Sequence, residues 1–205
     1  MPLAPPSVLI FLKCPRPGFV KTRLAKSLGD EEACQVYQKL VSHTLKQIPA
    51  DWPLRIHFAP ADAIVEMTDW LGSEHTFVPQ PDGDLGHRLD VACQQAFAEE
   101  NTSGVILLGG DCPGLNTSHL LECAELLAEK KPVIGPSEDG GYWLLGLPSP
   151  DSRLFKNIPW STSEVLPKTL ALFAEKKQTP TQLDTLFDVD EEETYQKALT
   201  QNLLD

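Results

Sequence analysis

The sequence predicts an α/β fold with a mainly parallel, mixed sheet between helices, and three observations carry that expectation. Strand-like apolar runs alternate with helix-periodic segments through roughly the first 130 residues. Two of those runs, Val8-Leu9-Ile10-Phe11-Leu12 and Gly104-Val105-Ile106-Leu107-Leu108, are apolar throughout, as in strands covered on both sheet faces. Each run is followed by a loop rich in Gly, Pro and charge.

The first run reads as a buried strand that ends in a Pro/Gly loop. Asp30 is then placed to cap a helix whose first turn carries Glu31 and Glu32. Ala33, Val36, Tyr37, Leu40, Val41, Thr44 and Ile48 recur at helical spacing. Leu54 to Ala59 reads as a second strand, Asp62 to Leu71 as a short helix, and Thr76 to Val78 as a third strand. Leu85 to Glu99 has a helical face of Leu89, Ala92, Cys93 and Phe97. Gly104 to Leu108 is the fourth strand, Thr117 to Glu129 a helix, Val133 to Gly135 a fifth strand and Tyr142 to Leu147 a sixth. Only Ser137 to Gly141 joins the last two, too short for a parallel crossover. They form a hairpin, or the sixth strand enters the sheet antiparallel elsewhere. Ser161 and Glu164 are spaced as a capping box, with Pro167 predicting a late start or a kink. Thr181 to Phe187 reads as a last strand, and Asp190 and Glu193 as cap and third residue of a final helix. No linker, repeat or low-complexity segment divides residues 1–205, which read as one domain.

Composition sets bounds on function. The net charge of −12 argues against nucleic acid or anionic membrane as partner. No apolar run reaches the length of a membrane span, and no signal peptide is evident. Five scattered cysteines without a C-x-x-C predict reduced thiols and a cytoplasmic protein. Cys34, Cys93 and Cys123 read as helix-packing residues, and Cys112 as a packing residue instead of a nucleophile. The histidines (43, 57, 75, 87, 119) show no metal-ligand spacing and read as surface residues.

Against the acidic background, Lys13, Arg16, Lys21 and Arg23 crowd one loop between a strand and a helix. An anion is held at such a junction by N–H groups, the macrodipole and cationic side chains. Gly18 allows a backbone path closed to other residues. The loop is neither a Walker A sequence nor a dinucleotide fingerprint. Its exposed cations are expected to contribute to binding and little to folding.

A nucleotide diphosphate or triphosphate also calls for a divalent cation on one or two carboxylates. Asp111 is the first candidate, because it follows the fourth strand at the edge where ligands bind in open α/β sheets. Asp188 and Asp190 are candidates for a second carboxylate. Asp139, in a turn sequence, is read either as turn chemistry or as a catalytic carboxylate. Gln80 and Gly86 flank a loop placed to meet a base or ribose. Tyr142, Trp143 and Trp160, with Ser161 beside them, are placed to line an acceptor; the aromatic residues read equally as core.

Six motifs occur in order: the Lys13–Leu24 loop, Gly83-Asp84-Leu85-Gly86, Gly110-Asp111-Cys112-Pro113-Gly114-Leu115, Asp139-Gly140-Gly141-Tyr142-Trp143, Pro159-Trp160-Ser161-Thr162 and Asp188-Val189-Asp190. Together they resemble a bacterial family of GT-A-like nucleotide-diphospho-sugar transferases associated with radical-SAM genes and proposed arsenosugar biosynthesis. The resemblance runs from about Leu9 to Ala198. It implies a GT-A fold, with Lys13, Gly18, Lys21 and Arg23 on nucleotide phosphates and Asp111 on Mg²⁺ or Mn²⁺. The loop and single Asp also resemble 2-phospholactate guanylyltransferase and, more distantly, molybdenum-cofactor guanylyltransferase. Many GT-A glycosyltransferases carry Asp-x-Asp, whereas this chain has Gly109-Gly110-Asp111.

The leading expectation is therefore a metal-dependent transferase that takes a nucleotide sugar and a small-molecule acceptor, with Lys21, Asp111 and Asp139 at its catalytic centre. The alternatives are a nucleotidylyltransferase joining a nucleoside triphosphate to a phosphorylated small molecule, and a non-catalytic nucleotide-binding regulator. Donor base, sugar, acceptor and oligomeric state are left open by these residues.

Overall fold

The computed structural model describes residues 4–99 and 102–204. Its centre is one seven-stranded sheet in the order β3-β2-β1-β4-β6-β5-β7. The strands are β1 (Ser7–Lys13), β2 (Leu54–Ala59), β3 (Thr76–Pro79), β4 (Val105–Leu108), β5 (Val133–Pro136), β6 (Tyr142–Leu147) and β7 (Thr181–Gln182). The helices are α1 (Ala25–Leu28), α2 (Asp30–Gln47), α3 (Ile64–Leu71), α4 (Leu85–Glu99), α5 (Thr117–Ala128), α6 (Val165–Glu175) and α7 (Glu192–Thr200), with a 3₁₀ turn at Ser152–Phe155. Among the described residues, no helix is long and apolar enough to cross a membrane.

β1 pairs in parallel with β2 on one side and with β4 on the other. The chain thus winds outward through β2 and β3, then returns past β1 to start the second half. That reversal makes the crevice beyond the carboxyl ends of β1 and β4 the natural ligand site of such a sheet. β6 resolves the open choice in both ways: it forms a hairpin with β5 and pairs antiparallel with β4. β1 and β4 are buried on both faces, as their unbroken apolarity requires: Val8, Leu9, Ile10, Val105 and Ile106 are fully buried.

Three element boundaries differ from the sequence reading. Asp30 is the first residue of α2 and not its cap; Gly29 occupies that place, and no side chain caps. The Ser161–Glu164 capping box does not form, because α6 starts late, at Val165. Pro167 then falls in the first turn, where its missing N–H costs nothing. The cap of α7 is Glu191, boxed with Thr194, which leaves Asp190 outside the helix. The seventh strand is also shorter than expected, with only an isolated bridge from Ser137 to Leu186 continuing it. All five cysteines are buried and free, and burial pushes the Cys93, Cys112 and Cys123 thiols far up. Two histidines expected at the surface, His57 and His119, are buried instead. His57 stacks on Phe11 with ring centroids 4.8 Å apart, and His119 packs on Trp143.

Candidate active site

The cationic loop leaves β1, and Asp111 leaves β4, the neighbouring parallel strand. Adjacent strand ends bring them together: Lys21 Nζ lies 3.0 Å from Asp111 Oδ2 and 2.7 Å from Asp190 Oδ1. Lys21 sits in the left-handed region at φ 48° and its side chain is only 5% exposed. The expectation of a fully exposed basic loop therefore fails for this residue. Burial opposes its charge, but the Asp111 and then the Asp190 carboxylates outweigh burial and hold the ammonium above the ordinary lysine range.

Asp188 and Asp190 arrive from far along the chain on a tethered segment. The Val189 N–H donates to the Asp111 carbonyl at 3.0 Å, and the Glu138 N–H to the Leu186 carbonyl at 2.9 Å. Phe187 and Val189 are buried with Leu24, Leu40 and Ala198. Alternation along the segment turns Asp188 and Asp190 the other way, toward the crevice. The Ser137 hydroxyl donates to Asp188 Oδ2 at 2.5 Å. Burial, and next the nearby Asp111 charge, push the Asp188 carboxyl up to about 7, while the Ser137 hydrogen bond works the other way.

A cavity of about 330 Å³ opens there. Asp111, Asp139, Asp188 and Asp190 supply its acidic part, and Tyr142, Trp160 and Ser161 also line it. Tyr142 and Trp160 meet edge to face, with ring centroids 6.4 Å apart. Asp139 makes the turn contact expected of it, its Oδ1 accepting the Gly141 N–H at 2.8 Å, and it lines the cavity. Trp143 is a core residue, 2% exposed, whose indole N–H donates to the Asp184 carbonyl.

Next to this cavity lies a cleft of about 460 Å³ lined by Lys13, Lys21 and Arg23 together with Thr22, Thr162 and Ser163. It shares Asp139, Ser161, Thr162 and Asp190 with the acidic cavity. Arg23 pairs with Glu191 at 3.3 Å, both exposed. Arg16 is engaged elsewhere: it forks onto Glu66 of α3 at 2.5 and 2.8 Å and clamps the loop to that helix. Gly18 takes φ 79°, a conformation open mainly to glycine.

The two residues expected beside a base or ribose, Gln80 and Gly86, both make structural contacts. Gln80 lines a further cleft of about 620 Å³ with Lys13, Arg16 and Arg88. Its amide, however, donates to the Leu12 and His57 carbonyls and accepts from Arg88, so it ties β1 to β2. Gly86 is a packing residue. A Cβ there would run into the Phe155 carbonyl and lie 2.7 Å from the Trp160 indole nitrogen, so α4 needs a bare backbone against the 3₁₀ turn. Sequence reading did not single out Thr162, Ser163 or Phe11 at the site; Thr162 lay in a quoted motif, but hydroxyl residues there carry no signal of their own.

Whether a divalent cation fits is decided by the donor set. Four carboxylates surround one cavity, and a single ammonium is paired with two of them. Hard oxygen donors with excess negative charge suit Mg²⁺ or Mn²⁺. No three His, Cys, Asp or Glu side chains converge on a metal position among the described residues. The arrangement fits an ion held by one or two carboxylates and completed by phosphate oxygens and water, the usual manner for Mg²⁺.

Residues 44–162 match the family described as uncharacterized proteins conserved in bacteria (DUF2064). The chain belongs to that family. It is also similar to the crystal structure of a candidate nucleotide-diphospho-sugar transferase from Desulfovibrio desulfuricans G20, with 31% identity over 92% of this chain and 84% of that one and a TM-score of 0.86. Two more distant likenesses show the fold. One is Rv0371c of Mycobacterium tuberculosis H37Rv in complex with manganese, 14% identical over 97% of this chain and 99% of that one, TM-score 0.58. The other is the inositol-1-phosphate CTP transferase of T. maritima, 11% identical over 98% and 95%, TM-score 0.56. No curated protein sequence matches the chain. The fold is thus that of the nucleotidyl- and nucleotide-sugar transferases.

Proposed function

We propose that this chain is a divalent-metal-dependent transferase that uses a nucleotide-diphospho-sugar donor and a small-molecule acceptor. The observation that carries the reading is the meeting of Lys21 with Asp111 and Asp190 at the crevice between β1 and β4. The donor diphosphate lies in the cationic cleft, where Lys13, Arg23 and the Thr22 and Ser163 hydroxyls neutralise and orient it. Asp111, with Asp190 or Asp188, holds Mg²⁺ or Mn²⁺, and the manganese-bound fold relative supports that choice. When bound, the ion supplies Lewis-acid stabilisation of charge on the leaving phosphate. Lys21, pre-paired with the same carboxylates, adds positive charge where that negative charge grows. The acceptor occupies the acidic cavity, its ring against Trp160 and Tyr142. The acceptor oxygen bonds to the anomeric carbon, and the carbon–oxygen bond to the diphosphate breaks with its electron pair leaving on the nucleoside diphosphate. Asp139 stands at the cavity to receive the acceptor proton.

Nucleotidyl transfer onto a phosphorylated acceptor is the second reading. It is favoured by the lone Asp111 after Gly109-Gly110 and by the fold shared with a CTP transferase acting on inositol 1-phosphate. The narrower reading, a place beside radical-SAM enzymes in arsenosugar assembly, is supported by the order of the six motifs.

One experiment separates the readings. The protein is incubated with Mg²⁺ or Mn²⁺ and nucleotide sugars, and separately with nucleoside triphosphates and phosphorylated acceptors. Release of nucleoside diphosphate supports sugar transfer; acceptor-dependent pyrophosphate supports nucleotidyl transfer; saturable binding with neither product indicates a regulator. Asp111→Asn keeps the size of the side chain but removes the anionic oxygen, so the fold is expected to persist while metal-dependent nucleotide affinity falls about tenfold or more. Unchanged affinity by calorimetry would remove Asp111 from the metal site.

A further inference from the structure

The polar side of the acidic cavity is dominated by carboxylates, with the Ser161 and Thr162 hydroxyls beside them. Asp111, Asp139, Asp188 and Asp190 face it, and no Lys, Arg or His is among its described lining residues. An ionised carboxylate only accepts hydrogen bonds, so a ligand that meets one must bring a donor. The nearest ammonium, Lys21, is buried and already paired with Asp111 and Asp190. Lys13 and Arg23 line the neighbouring cleft and not this cavity. An apolar part of the wall is formed by Phe11, Leu85, Leu89 and Leu107, with the Tyr142 and Trp160 rings. The volume of about 330 Å³ is at the small end for a ligand pocket.

We propose that the acceptor in this cavity is a small ring-bearing alcohol or amine that carries no phosphate, sulfate or carboxylate. The inference rests on the transferase reading above and narrows it to an acceptor class. Hydroxyl or ammonium hydrogens meet Asp139 and whichever of Asp188 and Asp190 does not hold the metal, and the ring face lies on Trp160 and the leucines, the packing that a sugar or cyclitol ring offers an aromatic wall. A phosphorylated acceptor would present oxygens to oxygens. Asp111 with Asp190 or Asp188 would hold the divalent cation, which leaves Asp139 facing the acceptor.

Matched ligand pairs test the idea: myo-inositol against inositol 1-phosphate, glucosamine against glucosamine 6-phosphate, and phenyl glucoside against its 6-phosphate. Each is titrated into the full chain saturated with Mg²⁺ and whichever nucleoside diphosphate binds it, with saturation-transfer NMR as readout. At least one unphosphorylated member is expected to bind, with its partner weaker by on the order of tenfold. Trp160→Ala is expected to weaken that binding without changing nucleoside diphosphate affinity. Leu85→Lys, at a partly exposed wall position, is expected to reverse the preference within the pair. Phosphorylated members binding as well as or better than their partners would overturn the acceptor class and leave a transferase standing in its nucleotidyl form. Binding of no member of any pair would overturn it too. Failure of every nucleotide to bind is a separate result and would instead sink the transferase reading.

Discussion

At the scale of single residues, charge and burial decide the site together. Lys21 is held by two carboxylates that would otherwise repel one another. Lys21→Met is therefore expected to lower stability by ~1–2 kcal/mol, a modest figure because Asp111 and Asp190 keep partial contact with water. Adding Asp190→Asn should restore part of the loss, and urea denaturation of the single and double variants measures that coupling. A fully additive double variant would mean that the three groups do not act as a unit. His57 is the other residue whose burial has a measurable signature. Its imidazole is pushed down to about 4 by burial, with the Arg55 charge adding to the effect, and its Nε2 has no hydrogen-bond partner among the described residues. The depressed value means that the neutral ring contributes stability above the ordinary 6.5, lost as pH falls through about 4. Between pH 7 and pH 4 the native chain should lose on the order of 2–3 kcal/mol more than His57→Gln. Parallel urea midpoints for the two proteins across that range would contradict the assignment.

At the scale of elements, short connections aim the functional groups. The start of α7 is the clearest case. Thr194 Oγ1 accepts from the Asp190 and Glu191 N–H groups at 3.1 and 3.2 Å and donates to the Glu191 carbonyl. That box holds the helix end and, through the same backbone, the position of Asp190. Thr194→Val keeps the shape and removes the hydroxyl, so it should cost ~1 kcal/mol of stability, as lost caps do. It should also weaken metal-dependent nucleotide binding more than a surface substitution on α7. Thermal unfolding and calorimetry on the same sample check both; a stability loss with unchanged nucleotide affinity would separate the cap from the site.

At the scale of the whole molecule, the order of strands places the crevice. β1, β4 and β6 are flanked on both sides and pack against buried residues of α4 and α5, whereas β3 and β7 are edges. Hydrogen exchange should accordingly be slowest in β1, β4 and β6, approaching global unfolding, and fast in β3 and β7. Mass spectrometry of peptic fragments reads this directly, and β3 amides as protected as those of β1 would contradict it. The central position of β1 and β4 also explains why the Lys21 and Asp111 loops can be irregular: they hang from strands that are paired on both sides.

Much of this molecule was legible in residue order. Unbroken apolarity located β1 and β4, helical periodicity located α2 and α4, and the cations at and after the end of β1 with a lone Asp after β4 marked both sides of the crevice, because strand ends and loop chemistry are local properties. The caps were read less well. Asp30, Ser161 and Asp190 each had the right type and spacing to cap, yet none does, since each helix starts at a different residue. What only the folded chain decided is the set of long-range meetings. Neighbouring strands pair Lys21 with Asp111 across ninety positions, and a backbone hydrogen bond from Val189 to Asp111 brings Asp188 and Asp190 beside them. Burial turned an apparently exposed lysine into a buried counterion and made Gly86 a packing contact. Propensity acts over a few residues, whereas desolvation and charge pairing depend on which distant segments the sheet order makes neighbours.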